Sequence, residues 1–408
     1  MRRELMGASV AVIIGMFGGM QPLSASTFTV IHNFTSQNND GEESEQAPVV
    51  TSSGAIIGST KYGGQYGYGT IYMFTPPAKK KGNWTGGVVY SFGSVSSGGQ
   101  YPLGSLLLAA DGSLYGASEL GGAHSQGTIF QITQSGGVWT EHTLFDFDAT
   151  TPGGWAPQAG VYMDSSGALY GTASAGGTTN DGVVYQLTSG SPRWTETVIH
   201  TFTSNGTDGI SPSYGALVGG PKGVLYGTTQ EGGAFNGGVA YQLAPPKKGG
   251  TAWTETILHA FGATVDGELL EGGLVVGANH VLYGTTDGTN NGAYNGTIFS
   301  LTPPPKGQTA WTESVLYDFA SGGPYGSYPR ATVLDKKGNL FCLTNSGGAN
   351  ALGTVFELTA AGTPTDVYDF TTNANKVLGT VSAGKSGAYI GTTYDSTGGY
   401  GVVFSIKP

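Results

Sequence analysis

The chain has 408 residues and a formal net charge of −10, and only 11% of its residues are charged. A nucleic-acid partner is therefore not expected, because nucleic-acid-binding domains carry clustered basic charge. The 72 Gly and 19 Pro stop short of low-complexity content, and the 22 Tyr and 17 Phe exclude a disordered chain, which would be poor in aromatic residues. This composition favours an all-β protein with many turns.

The first 25 residues have the features of a secretory signal peptide. Arg2 and Arg3 form a short basic region, and residues 7–20 (GASVAVIIGMFGGM) form an apolar stretch that is short for a membrane span. Ser24 and Ala25 then supply small residues before a cleavage point. A retained N-terminal membrane anchor is the alternative interpretation. We expect residues 26–408 to form a single mature domain that is secreted, periplasmic or extracellular, without a membrane span after cleavage.

One segment recurs along the rest of the chain. The copy at Leu169 reads LYGTASAGGTTNDGVVYQL, and the copy at Leu225 reads LYGTTQEGGAFNGGVAYQL. Such copies follow one another at intervals of about 49 to 58 residues. The seven copies begin at Ile56, Leu114, Leu169, Leu225, Leu282, Leu340 and Tyr389. A period of this length, with no helical periodicity, is typical of β-propeller blades.

Each repeat predicts four β-strands, called A to D in chain order. The recurring segment contains the B strand (LYGTT) and the C strand (GVAYQL), joined by a Gly-rich connection. An A strand precedes it through a tight turn, such as Asp111-Gly112. A D strand follows, as in WTETVIHTF at Trp194, where alternating apolar residues fit a strand with one buried face. Four strands per repeat indicate a four-stranded antiparallel propeller blade.

The two ends of the chain predict how the ring closes. The last copy stops at VVFSIKP without a D strand, whereas residues 26–34 (STFTVIHNF) form a D strand with no A to C strands before it. A closed ring in which the N-terminal strand completes the last blade hides both sheet edges. We therefore predict a seven-bladed β-propeller, all-β and monomeric, with its last blade closed by the N-terminal strand.

The compound pattern LYGTT…GG…GTVFxLT…WTETVLHxF resembles the GloVer tandem repeat of exported bacterial proteins, a group often called choice-of-anchor tandem-repeat proteins. The resemblance covers essentially all of residues 26–408. It implies an exported, propeller-like repeat protein, and it brings no established reaction and no catalytic residues. Kelch-type propellers are the nearest alternative, but their motif order differs.

The loops predict two faces with different chemistry. Lys residues collect in the A–B and C–D loops, whereas acids and aromatic residues collect in the B–C and D–A loops. The candidate ligand-binding residues are in this second set: Tyr101, Trp155, Tyr325, Tyr328, Asp208 and Asp266. Aromatic rings stack on sugars while carboxylates bind their hydroxyls, and clustered carboxylates also suit Ca²⁺. Ordinary loop packing and Asp-Gly turns are the structural alternative for each residue.

Three functions remain open at this point. The first is a binding module for extracellular carbohydrate through the B–C and D–A face, with a polysaccharide or a cell-envelope component as partner. The second is a structural envelope or matrix protein, and the third is a glycan hydrolase or lyase that uses loop carboxylates. No catalytic residue is assigned, because a reaction centre must depart from the repeat. His32, His200 and His259 share one repeat position and are interpreted as structural, as is Cys342, which replaces a repeat glycine.

Overall fold

Seven blades form a closed ring in the part of the chain that the structure, a computed structural model, describes. That part comprises residues 26–35, 37–79, 82–150, 152–190, 193–212, 214–262, 266–288, 295–319, 323–371, 379, 381–394 and 399–408. The signal-peptide prediction for residues 1–25 lies outside it. The predicted seven-bladed, all-β fold is confirmed.

Each blade is an antiparallel sheet with the strand order A-B-C-D. The A strands are Val49–Val50, Leu107–Leu108, Tyr162–Met163, Val218–Gly219, Val275–Val276, Val333–Leu334 and Val381–Ala383. The B strands are Ile56–Thr60, Leu114–Gly121, Leu169–Ala173, Leu225–Thr228, Leu282–Thr286, Leu340–Ser346 and Tyr389–Thr393. The C strands are Thr70–Thr75, Thr128–Ser135, Val183–Thr188, Val239–Ala244, Thr297–Thr302, Thr354–Leu358 and Val402–Lys407. The D strands are Thr85–Ser91, Val138–Asp146, Thr195–Thr201, Thr254–Ala260, Thr312–Asp318, Pro364–Asp369 and, for blade 7, Thr27–Asn33.

Short 3-10 turns and strands lie in the loops between the blade strands. Three 3-10 turns link A and B strands, at Pro221–Gly223, Ala278–His280 and Lys385–Gly387. On the opposite face, short strands of the D–A loops pair with the chain that follows the B strands. The pairs are Gly41–Glu42 with Tyr62–Gly63, Gly99–Pro102 with Leu114–Gly121, Gly154–Trp155 with Ala175–Gly176, Gly209–Ile210 with Glu231–Gly232, and Ser327–Pro329 with Leu340–Ser346. These pairings give the D–A and B–C loops a common, ordered rim.

The N-terminal strand closes the ring as predicted. Thr27–Asn33 pairs antiparallel with Val402–Lys407, and the register shifts between Val30 and His32. The register of the other D strands also shifts near this point, so the N-terminal strand keeps the geometry of a D strand. The first and last strands of the ring are thereby paired within one sheet.

One aromatic contact recurs at all seven blade interfaces. A Phe follows each D strand, is at most 2% exposed, and donates its backbone N–H to a glycine carbonyl before the C strand of its own blade, at 2.9 to 3.0 Å. Its ring packs on an aromatic ring of the next blade's C strand, with centroids 4.7 to 5.4 Å apart. The pairs are Phe34–Tyr72, Phe92–Phe130, Phe147–Tyr185, Phe202–Tyr241, Phe261–Phe299, Phe319–Phe356 and Phe370–Phe404. Interdigitated rings of this kind form the interblade cores.

The B strand carries a glycine at this interface because the C-strand ring occupies the space that a side chain would fill. A Cβ at Gly171 would clash with the Tyr185 phenol, and a Cβ at Gly227 would clash with Tyr241. Cys342 occupies the same position opposite Phe356 and is fully buried, and burial raises the pKa of its thiol. The expected structural role of this cysteine therefore agrees with its environment.

We expect Gly171→Ala to destabilise the protein by about 1–3 kcal/mol, because the added methyl overpacks the interface at Tyr185. The control is Gly87→Ala, where a Cβ meets nothing within 4 Å. Urea denaturation measures both free energies of unfolding. Equal stabilities for the two variants would contradict the proposed steric role of the glycine.

We expect Phe34→Ala to cost about 3–5 kcal/mol and to open the ring at its closure, because Phe34 anchors the N-terminal strand. Hydrogen exchange should then become faster in both Thr27–Asn33 and Val402–Lys407. Phe202→Ala removes the equivalent ring from an interface within the chain and should leave the closure strands protected. The same exchange pattern in both variants would contradict the expectation that the closure strands can open independently of the other blades.

Candidate functional site

The centre of the ring holds a cavity of about 490 Å³ on the side of the B–C and D–A loops. All seven blades contribute to its wall, because each A strand begins there and each B strand ends there. Its charged and amide side chains are Glu45, Gln46, Lys61, Glu119, Gln158, Glu271 and Arg330. Tyr214 and Tyr394 add phenol rings. The volume lies within the range of small-molecule sites.

Hydroxyl pairs at the ends of the B strands help to fix the residues that line this cavity. Thr60 Oγ1 lies 2.7 Å from Thr70 Oγ1 of the C strand, and Ser118 Oγ lies 2.8 Å from Thr128 Oγ1. The next residue in blade 1 is Lys61, and the next residue in blade 2 is Glu119. Because each hydroxyl ties its B strand to the adjacent C strand, the following side chain starts from a fixed backbone.

Lys61 lies between two carboxylates that come from different loops. Its Nζ is 3.9 Å from Glu45 Oε1 and 3.6 Å from Glu119 Oε2, and Gln158 Nε2 donates to Glu119 Oε1 at 2.9 Å. Burial alone would lower the pKa of Lys61, but Glu45 and Glu119 outweigh it and raise this pKa. Burial raises the pKa of Glu45, and Lys61 opposes that rise. The group therefore holds a lysine cation between two acceptor carboxylates.

Arg330 breaks the repeat on the opposite side of the cavity. Three residues before the A strand, blades 2 to 5 carry a small residue, and blade 6 carries this arginine. Its guanidinium forms an ion pair with Glu271, which also accepts a hydrogen bond from Gln230 Nε2 at 3.4 Å. Burial lowers the pKa of Arg330, while Tyr214 and Glu45 oppose that change. Its Nε has no hydrogen-bond partner among the described residues.

The six ligand-binding residues proposed from sequence lie elsewhere on the loops, and none is among the cavity-lining residues. Tyr101 packs edge-on to Tyr62 and Tyr68, with centroids 5.4 and 5.7 Å away. Trp155 packs against the core between blades 2 and 3. Tyr325 packs edge-on to Phe356 at 5.9 Å.

The remaining three also belong to blade interfaces. Tyr328 has a left-handed φ of 58° and donates its N–H to Asn295 O at 2.7 Å. Asp208 is 8% exposed beside His200, and Asp266 is 3% exposed beside His259. Their roles in ligand binding, and a role for Ca²⁺, stay predictions.

Sequence reasoning missed the cavity residues, although one signal was present. A charged residue at a position that is small in four sister repeats marks Arg330 as an exception. The other cavity residues lie near the ends of the B strands or near the starts of the A strands. Their sequence context does not distinguish them from rim residues, and only the ring brings them together.

The comparisons with known proteins agree with this fold. The model of the Gloeobacter/Verrucomicrobia repeat matches residues 20–153 and 140–320. The chain belongs to this repeat family. No curated protein matches this family member in sequence. Within the described residues, no helix has the length and apolar character needed to cross a membrane.

Two solved structures share the architecture of this repeat-family member. The extracellular domain of BT4673 from Bacteroides thetaiotaomicron is 10% identical, with a TM-score of 0.55, over 92% of this chain and 39% of that one. A 6-phosphogluconolactonase candidate from Bacteroides uniformis is 14% identical, with a TM-score of 0.53, over 84% of this chain and 89% of that one. At such low identity, these similarities concern the fold alone.

We expect Glu271→Gln to destabilise the protein by about 3 kcal/mol, because it leaves the Arg330 cation in the cavity wall without its counter-charge. The double variant Glu271→Gln/Arg330→Met should recover most of this loss. Glu231→Gln removes an exposed carboxylate from the same face and serves as the control. Chemical denaturation checks all three. Wild-type stability of Glu271→Gln would contradict a structural ion pair.

Proposed function

We propose that this protein is an exported binding module whose central cavity holds one unit of an extracellular carbohydrate. The cavity is the observation that carries the proposal, because it combines the volume of a small-molecule site with polar groups from all seven blades. A rigid ring scaffold presents those groups without a large ordering cost on binding.

The chemistry of the wall suits a polyhydroxylated ligand. The carboxylates of Glu45 and Glu119 accept hydrogen bonds from hydroxyls, and the amide of Gln158 both donates and accepts. Tyr214 is 39% exposed and offers a ring face on which the apolar side of a pyranose can stack. Acceptors, donors and a ring around one cavity are the groups that sugar recognition requires.

The charge arrangement favours a neutral sugar over an acidic one. Lys61 already contacts two carboxylates, and Arg330 is paired with Glu271. An anionic ligand would have to compete with these carboxylates, whereas neutral hydroxyls would add to the existing network. The cavity-lining charged residues also include three acids and two bases, which further disfavours an anion.

The proposed location outside the cytoplasm rests on the predicted signal peptide and on the resemblance to exported repeat proteins. The predicted signal peptide supports export, and the likeness to an extracellular domain of another bacterium is consistent with it. Tyr101, Trp155, Tyr325 and Tyr328 stay predicted contacts for a longer polysaccharide that extends from the cavity over the rim. A structural envelope protein would not need a cavity lined with inward-facing charges, so the binding function is preferred.

The test is calorimetric titration of the protein with neutral monosaccharides, together with a polysaccharide array. Glu119→Gln and Tyr214→Ala should each weaken sugar binding about tenfold or more, because each removes a hydrogen bond to a charged group or a stacking face. Phe235→Ala removes a ring that is 54% exposed on the same face but does not line the cavity, and it should bind like the wild type.

Other outcomes would redirect the assignment. Binding that survives both cavity variants but is lost in Trp155→Ala would move the site to the rim. Absence of binding to every sugar would overturn the carbohydrate proposal. Release of reducing ends during incubation would identify the glycan-active enzyme instead of a binding module.

A further inference from the structure

A polar position repeats at the blade interfaces, outside the central cavity. In blades 2 to 5 the D strand carries a Glu opposite an apolar C-strand residue, and this Glu faces the end of the preceding blade's D strand. The four are Glu141, Glu196, Glu255 and Glu313. Between blades 1 and 2, Glu141 is fully partnered, since it accepts hydrogen bonds from the Tyr90 hydroxyl and from Gly99 N–H, both at 2.7 Å.

Between blades 3 and 4 the same position is built differently. His200 replaces the phenol, Asp208 follows in the D–A loop, and Glu255 comes from the next blade. His200 Nε2 lies 3.4 Å from Glu255 Oε1 and 3.8 Å from Asp208 Oδ1. One donor atom from each of the three residues lies within 4.8 Å of the other two. All three of these atoms are buried and have no hydrogen-bond partner among the described residues.

The carboxylate of Asp208 is oriented by its own loop. Its Oδ2 accepts hydrogen bonds from Thr203 N at 3.0 Å and from Thr203 Oγ1 at 3.2 Å. The other oxygen, Oδ1, is therefore left directed at His200 and Glu255. The His200 ring packs edge-on to Phe202 with centroids 4.6 Å apart, which restrains the imidazole as well. Such supporting contacts are typical of the residues that orient metal ligands.

The sister interfaces lack this open arrangement. Between blades 4 and 5 the same residue types recur as His259, Asp266 and Glu313. There His259 Nε2 lies 2.8 Å from Asp266 Oδ2, so this pair closes on itself and only Glu313 Oε1 is left without a hydrogen-bond partner among the described residues. Between blades 7 and 1, His32 Nε2 contacts Asp40 at 2.9 Å, and Gly86 stands where the Glu would be. The three converging, unpartnered atoms at blades 3 and 4 are thus not a general property of the fold.

Internal hydrogen bonds would satisfy this cluster only in part. If one of them is protonated, the carboxyl groups of Glu255 and Asp208 can hydrogen-bond to each other. His200 Nε2 still lies 3.4 Å from Glu255 Oε1 and 3.8 Å from Asp208 Oδ1, longer than an ordinary N–H···O hydrogen bond. One divalent cation at the centre would satisfy all three atoms together.

We propose that His200, Asp208 and Glu255 bind a divalent transition-metal cation of the zinc class and thereby clamp blade 3 to blade 4. Ligands about 2.0–2.2 Å from a tetrahedral zinc lie about 3.3–3.6 Å from one another, close to the 3.4 and 3.8 Å distances from His200. A histidine with two carboxylates suits zinc, whereas Ca²⁺ needs six to eight oxygen ligands. Water would complete the coordination.

The buried phenol of Tyr241 adds a polar neighbour to this centre. Its hydroxyl has no hydrogen-bond partner among the described residues, and besides burial the charges of Glu255 and Asp208 raise its pKa. A hydroxyl in this position can donate to a ligand carboxylate or to a metal-bound water. The proposal stands independently of carbohydrate binding, because none of these four residues lines the central cavity.

The test uses the full-length chain without a polyhistidine tag, first stripped with a chelator and then titrated with Zn²⁺, Co²⁺ and Ca²⁺. Calorimetry should show one equivalent of Zn²⁺, Co²⁺ should give the visible absorption of a four-coordinate site, and Ca²⁺ should not compete. His200→Gln and Glu255→Gln should each weaken Zn²⁺ binding at least tenfold. The matched control, His259→Gln, should bind Zn²⁺ like the wild type.

The change in Tm on adding Zn²⁺, measured within each variant, separates loss of metal binding from a general folding defect. Zn²⁺ should raise the Tm of the wild type and of His259→Gln, and should leave the Tm of the near-isosteric variant Asp208→Asn unchanged. Absence of stoichiometric Zn²⁺ binding by the wild type would overturn the proposal. Equal loss of binding in the His200 and His259 variants, or tighter binding of Ca²⁺ than of Zn²⁺, would overturn it as well.

Discussion

The packing of one aromatic ring between neighbouring blades is the constraint on which the rest of this protein depends. A Phe after each D strand meets a Tyr or Phe of the next blade, and that second ring lies over a B-strand residue with little or no side chain. The arrangement brings adjacent sheets together at every interface of the ring. It also explains the glycine that recurs in the B strands, because a side chain there would occupy the space that the ring fills.

Because these ring contacts involve the C and D strands, the residues that face the axis of the ring are free to differ between blades. Residues at the strand ends facing the axis take no part in the ring contacts, so the repeat can change there without loss of the fold. Lys61, Glu119 and Arg330 are such changes, and each brings a charge to a wall shared by seven blades. The central cavity is thus the place where identical blades become chemically different.

The same contrast separates the blade interfaces from one another. Equivalent places at three interfaces hold three different contacts. Glu141 accepts a hydrogen bond from a phenol, and His259 pairs with an aspartate. At His200, three atoms converge without hydrogen-bond partners among the described residues. The backbone is nearly the same in each case, as the conserved register shift of the D strands indicates. Small changes of side chain therefore convert a structural contact into a candidate ligand set.

By itself, the sequence determined the blade count, the four-strand pattern, the closure by the N-terminal strand and the buried setting of Cys342. These features depend on local alternation, turn residues and a repeat period, all of which are visible along the chain. Only the tertiary structure decided which polar residues meet. Glu45, Glu271 and Arg330 come from three different blades, and Glu255 reaches His200 across an interface. His200 was interpreted as structural because it shares a repeat position with His32 and His259. Its partner Glu255 lies in the next blade, and nothing near His200 in the sequence reveals that contact. Ring closure converts positions far apart in the chain into neighbours, and the chemistry depends on that proximity.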